Sequence, residues 1–186
     1  MAVLGIGALS FGVPGTGAGQ AQTMTLTSPD IEEGATIANE QVFNGLGCSG
    51  ANISPELNWS GTPSGTKSLA VTIYDPDAPT GSGWWHWVVF NIPPRTTSLP
   101  KDAGDVKKKL MPKGVIQSRT DFGSGGYNGP CPPAGDKPHH YQVTVFAVDI
   151  DKLPGARNDA ASAALVSSDL HLHTLAKATL TGLYGR

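Results

Sequence analysis

Apolar and polar side chains alternate along this chain with period two far more often than with period 3.6. Tyr141–Ile150, YQVTVFAVDI, alternates and is rich in β-branched residues, which predicts the clearest strand. Leu69–Tyr74 and Trp85–Ile92 read as a strand pair, and Met24–Thr27 as an edge strand broken by Ser28-Pro29-Asp30. Shorter strands are expected at Leu57–Trp59 and within Gly114–Arg119, and the tail LAKATLTGLYG alternates again. One stretch alone has helical text: AASAALVSSDLHLH, with Asp159 before it as the expected N-cap and Ala160, Ala163, Ala164 and Leu170 able to share one face. Strands outnumber helices and no regular βαβ rhythm is present, so the pattern predicts an antiparallel β-domain with a helix near its C-terminus.

The stretch YDPDAPTGSGWWHWVVFN, Tyr74–Asn91, concentrates chemistry on such strands. Pro76 cannot donate to a sheet ladder and restricts the residue before it, so LAVTIY should leave its sheet at about Asp75. Residues two apart in extended chain point the same way, so Asp75 and Asp77 are expected on one face unless the turn begins between them. Beyond the Gly81-Ser82-Gly83 hinge, alternation puts Trp84, His86, Val88 and Phe90 on one face and Trp85, Trp87, Val89 and Asn91 on the other. Further on, the stiff loop GPCPPAGDKP delivers His139, His140 and Tyr141 onto the start of the best strand; adjacent histidines on a strand oppose one another, so only one of them can join a pocket. Carboxylate, imidazole and phenol meeting at one end of a sheet would suit a small polar anion. The bland reading stands beside it: turn-capping aspartates, a satisfied core histidine and a tryptophan core.

Composition narrows the choice. A length of 186 residues suits one domain with a full core, and 24 Gly and 15 Pro favour short strands with structured turns. A net charge of -2 gives no general attraction to nucleic acid or acidic membranes, and the Lys107-Lys108-Lys109 run reads as a solvated loop. Gly45-x-Gly47-x-x-Gly50 matches a dinucleotide fingerprint without a helix after it, and GTPSGTKS is out of step with a phosphate-binding loop, so both are turns. Residues 1–23 include AVLGIGALSFGV, an apolar stretch too short to span a bilayer, followed by small and polar residues up to Ala21. They read as a secretory signal lacking its usual basic start, or as a disordered tail. A periplasmic or secreted location is therefore expected, with a cytoplasmic one as the alternative.

The runs DPDAPTGSGWWHWVVFNIP and GPCPPAGDKPHHY, in this order and at this separation, resemble the two signature regions of the phosphatidylethanolamine-binding proteins, or Raf kinase inhibitor-like proteins, in their bacterial branch. The resemblance covers about Met24 to the C-terminus and implies a mostly β fold of two packed, mainly antiparallel sheets with short helices near the C-terminus, a single domain over 24–186. It implies an anion pocket with Asp75, His86 and His139 at its centre, Asp77 as second carboxylate, and Pro79, Pro133, Tyr141 and Trp84 around it. A phosphate or phospholipid head group would be the ligand, and a kinase or protease a possible protein partner. No cofactor, no metal and no nucleic acid are implied, and any membrane contact would be peripheral. This chain departs from the family in carrying His140 where many eukaryotic members have Arg, and an added Cys131 in the proline loop. Cys48 and Cys131 have no C-x-x-C or zinc-knuckle spacing; the resemblance puts their loops on one side of the domain, so export would give a disulfide and a cytoplasmic life two free thiols. The alternative to a binding protein is a metal-dependent or acid/base phosphoester hydrolase using the same Asp/His cluster. Against it, neither G-x-S-x-G nor H-E-x-x-H occurs, and a non-enzyme is the expectation.

Overall fold

A computed structural model describes residues 23–186, so the leader or tail expected over residues 1–23 lies almost wholly outside the described residues. The chain forms β1 (Thr25–Thr27), β2 (Asn44–Gly45), β3 (Cys48–Ser49), β4 (Leu57–Ser60), β5 (Ser68–Asp75), β6 (Trp84–Ile92), β7 (Ser98–Leu99), β8 (Ile116–Gln117), β9 (His139–Val148), α1 (Ala163–His173) and β10 (Thr174–Tyr184). Five strands make the main sheet in the order β10-β9-β5-β6-β8, three make a smaller one in the order β1-β4-β7, and β2-β3 is a separate hairpin. Every strand pairing within these sheets is antiparallel.

β5 is central because its text is apolar on both faces, and it is flanked on each side by a long strand. Leu69, Val71 and Ile73 face inward with Val143, Val145 and Ala147 of β9, and this inner face packs on Met24, Leu26, Leu57, Trp59 and Leu99 of the small sheet. Ala70 of β5, Val88 and Phe90 face the other way, beneath Ala163, Val166 and Leu170 of α1. Fully burying Val166 or Leu170 stabilises by about 1.5 to 3 kcal/mol each. The mostly β, two-sheet expectation holds, and α1 is the one α-helix among the described residues.

Two local readings are corrected. α1 begins later than expected: Asn158–Ala161 forms a turn, with the Ala161 amide donating to Asn158 O at 3.3 Å, and Ser162 caps the helix by accepting from the Leu165 amide at 3.2 Å. Ala160 and Ala164 are exposed, whereas Ala163, Val166, Asp169 and Leu170 are buried; Asp169 earns its burial by accepting from the amides of Gly155 and Ala156 at 2.9 and 3.1 Å.

The second correction bears on function. β6 does not alternate evenly. Ile73 pairs with Trp87 and Tyr74 with Trp85, so His86 is an extra residue with no partner on β5, a β-bulge. A second irregularity lies where Leu69 pairs with Ile92 and Val71 with Val89, beside Asn91 at φ 59°. Trp87 and Val89 therefore join the inner core, Val88 and Phe90 join the helix side, and Trp85 packs with the helix side too. The bulge sends His86 inward against Tyr141, with ring centroids 5.1 Å apart.

Candidate functional site

Asp75 ends β5 and His139 opens β9, and these two strands are neighbours. Asp75 Oδ2 lies 2.7 Å from His139 Nδ1, and both residues are buried, at 2% and 5% exposure. Because Pro76 starts a turn, the Asp75 Oδ1 atom accepts the Asp77 amide at 2.9 Å, and the two carboxylates do not share a face as the extended-chain expectation had it. Asp77 is exposed and turns to His140, accepting from its amide at 2.8 Å and lying 2.7 Å from its Nδ1. Those hydrogen bonds hold the Asp77 carboxyl below the usual range. His139 points in and His140 out, as strand geometry requires.

His86 is buried at 3% exposure, with Nδ1 2.7 Å from Asn128 O and 3.1 Å from Gly129 O. Both partners are carbonyls, so Nδ1 carries the hydrogen and Nε2 holds a lone pair while the ring is neutral. Burial pushes the imidazole pKa down, opposed by the Asn128 carbonyl and the Asp75 charge. The loop that supplies these carbonyls is fastened at several points. Gly129 N donates to Asn52 Oδ1 at 2.8 Å, Asn128 N donates to His86 O at 3.0 Å, and Cys131 is disulfide-bonded to Cys48. Arg186 donates from Nε to Pro132 O at 2.7 Å and from its guanidinium to Gly47 O at 3.0 Å, tying the proline loop to the β2-β3 hairpin.

Tyr141 lies beside His86, 1% exposed, and its hydroxyl is buried near the Asp75 carboxylate but with no partner within 3.5 Å in hydrogen-bonding geometry. Burial and the neighbouring Asp75 charge push that phenol well above its ordinary range, so it stays protonated. Phe122 packs edge-on against both Trp84, at 5.5 Å, and His86, at 5.4 Å, and Phe43 packs behind it at 4.7 Å. Trp84 is half-buried, and Pro79 and Pro133 stand exposed on the loops that leave β5 and enter β9. The structure thus brings together Asp75, His86, His139, Tyr141 and Trp84, and sets Asp77 to one side. Sequence reading missed Phe122, Asn52 and the Asn128 and Gly129 carbonyls. Phe122 sits among glycines with no period to mark it, and backbone acceptors carry no residue signature.

A family profile described as phosphatidylethanolamine-binding protein matches residues 27–185. The chain belongs to the phosphatidylethanolamine-binding protein family. Within the family it is similar to two Escherichia coli proteins of the class UPF0098: YbcL, 52% identical over 165 residues that make up 89% of either chain, and YbhB, 49% identical over 87% of this chain and 99% of YbhB. The crystal structure of E. coli YbcL, described as a new member of the mammalian PEBP family, superposes with a TM-score of 0.85 at 50% identity over 88% of this chain and 98% of YbcL. A PEBP homologue from Chlamydia trachomatis gives a TM-score of 0.72 at 28% identity over 89% of this chain and 99% of its own.

Both cysteines are bonded to each other, and among the described residues no group of three or more His, Cys, Asp or Glu side chains converges as a metal site would. His86 has one ring nitrogen committed to carbonyls, which orients the other, whereas His139 has Nδ1 on Asp75 and Nε2 3.5 Å from the exposed Asp136 carboxylate. The Tyr141 hydroxyl adds a protonated donor.

Proposed function

We propose that this protein is a binding protein whose Asp75, His86, His139 and Tyr141 cluster receives a phosphate or phosphorylated head group. The observation that carries this reading is the buried, unpartnered Tyr141 hydroxyl packed against His86. A buried hydroxyl without a partner costs about 1 to 3 kcal/mol, and a bound anion removes that cost. Protonated His86 would donate from Nε2, and His139, oriented by Asp75, would do the same in place of its 3.5 Å contact with the exposed Asp136 carboxylate. The faces of Trp84 and Phe122 offer an ammonium group a cation-π contact worth about 0.5 to 2 kcal/mol, which would favour phosphoethanolamine over phosphate alone. The test is calorimetric titration with inorganic phosphate and with O-phosphoethanolamine, on the wild type and on Trp84→Leu. Saturable binding of both, with the phosphoethanolamine advantage lost in Trp84→Leu, supports the reading. No heat from either ligand at millimolar concentration overturns it.

The Cys48–Cys131 disulfide supports a periplasmic or secreted location, since such bonds persist in oxidising compartments; a fusion to a reporter that is active only after export tests this. Modulation of a kinase or protease partner rests on the family resemblance, and a panel of both enzyme classes showing no change in rate would remove it.

A further inference from the structure

A second cavity, of about 380 Å³, opens on the opposite face of the main sheet, where α1 covers only part of it. Its position follows from the pleat: Thr72 and Phe146 point away from the inner core that holds Val71 and Val145, and the His86 bulge turns Trp85 to the same side. Leu170 of α1 closes one wall, and His171 and Lys177 stand at its edge. Lys177 lies on β10 directly opposite Phe146. The cavity thus has an apolar and aromatic wall from Trp85, Phe146 and Leu170, hydroxyl residues Thr72, Ser167 and Thr174, and a basic rim.

Two polar features point to an occupant. Thr72 is 4% exposed as a residue and lines the cavity with a hydroxyl that makes no hydrogen bond among the described residues. Lys177 is exposed, forms no ion pair among the described residues, and shares the cavity with no carboxylate. The nearby acids are already engaged: Asp149 with His173 at 2.9 Å, and Asp169 with the Gly155 and Ala156 amides. The side of Trp85 away from the cavity is taken by Tyr74, with ring centroids 4.4 Å apart, which fixes the indole as a wall. A small volume at the low end of ligand sites, apolar and aromatic side chains and one unpaired ammonium select a particular chemistry. A phosphate would leave the apolar faces unused, and a neutral hydrocarbon would leave Lys177 unused.

We infer that the Thr72–Trp85–Phe146–Lys177 cavity is a second binding site, for a small monocarboxylate with an aromatic or apolar body. The carboxylate meets Lys177 and His171 at the rim, and the body lies along Trp85, Phe146 and Leu170. The site is separate from the Asp75–His139 cluster, which lies on the inner face.

The experiment is an amide and indole NMR titration of the whole chain with phenylacetate, with phenylacetamide as the neutral counterpart. Expected are saturable shifts of the Trp85 indole and of the Thr72, Phe146 and Lys177 amides, with phenylacetamide weaker by at least about fivefold, as loss of a charge-assisted hydrogen bond gives. Lys177→Gln, an exposed substitution that leaves the core untouched, should weaken phenylacetate by a similar factor and leave the affinity for inorganic phosphate unchanged. Shifts centred on His86 and His139 that ignore Lys177→Gln would put the ligand in the first site and overturn the proposal. Equal binding of acid and amide, or no saturable shift at tens of millimolar, would overturn it as well.

Discussion

His86 stands opposite no residue of β5, because Ile73 pairs with Trp87 and Tyr74 with Trp85. That one-residue slip puts His86 on the same inner side as Trp87, against Tyr141, and turns Trp85 to the helix side. Bulges re-aim single side chains in this way, and here the re-aimed residue is the one with both carbonyl partners in place.

Tyr141→Phe separates binding from folding. The hydroxyl it removes is buried and unpartnered, so stability in urea should be unchanged or higher by up to about 1 to 2 kcal/mol. Phosphate affinity should fall about fivefold or more, if that hydroxyl is a ligand donor. A variant that is destabilised and binds normally would mean that the hydroxyl is satisfied within the fold.

Asp75→Ala should be among the costliest polar changes in the chain. It leaves His139 Nδ1 and the Asp77 amide without their acceptor in a site only a few percent exposed. Breaking a buried pair from one side costs about 3 to 5 kcal/mol, measurable as a shift in the urea midpoint at constant slope. A loss below about 1 kcal/mol would show that water or a neighbour takes over the carboxylate's role.

His86 gives a signed pH dependence. Its folded pKa is depressed by burial, so between the folded value and an unfolded value of about 6.5 the unfolded chain binds the extra proton. The stability associated with a neutral buried His86 is complete above about pH 6.5 and is lost as pH falls toward the folded pKa. Thermal melts from mildly alkaline to mildly acidic pH should show this decline, and His86→Gln should lose part of it. An anion bound at Nε2 favours the protonated ring, so phosphate binding should take up a proton and strengthen as pH falls through the same window.

The carbonyl loop has its own test. A Cβ on Gly129 would lie 1.9 Å from Gln41 O and 2.7 Å from Phe43 N, both backbone atoms that cannot swing aside. Gly129→Ala should cost about 1 to 3 kcal/mol and displace the carbonyl that holds His86. The paired Cys48→Ser and Cys131→Ser change should cost about 2 to 4 kcal/mol and raise exchange of the Asn128 and Gly129 amides, which donate to His86 O and Asn52 Oδ1.

The long strands were legible because their text repeats with period two, and the Asp75, His139 and Tyr141 positions followed from where Pro76 and Pro138 end regular pairing. The two faces of β6 were not. Trp84–Ile92 is apolar on both sides, so nothing in the residues marks where the alternation slips, and only pairing with β5 reveals His86 as the extra residue. For Asp77 the stated exception applies: the strand ends at Asp75 as read, the turn begins between the two aspartates, and Asp75 captures the Asp77 amide. The helix cap moved from Asp159 to Ser162 because Asn158 already forms a turn, with its side chain accepting the Ala160 amide at 3.0 Å. Phe122 and Asn52 act through tertiary contacts with residues far along the chain, beyond any local pattern.

The measurement that bears most directly on the central claim is the ¹⁵N spectrum of the histidine rings, assigned with His86→Gln and His139→Gln, as inorganic phosphate is added near pH 6. Without ligand, His86 should show a neutral ring with the proton on Nδ1. Saturable shifts at Nε2 of both His86 and His139, with His86 moving toward the imidazolium form, are the predicted result. Rings that stay unmoved while phosphate binds elsewhere, or does not bind at all, would contradict the assignment of this cluster as the anion site.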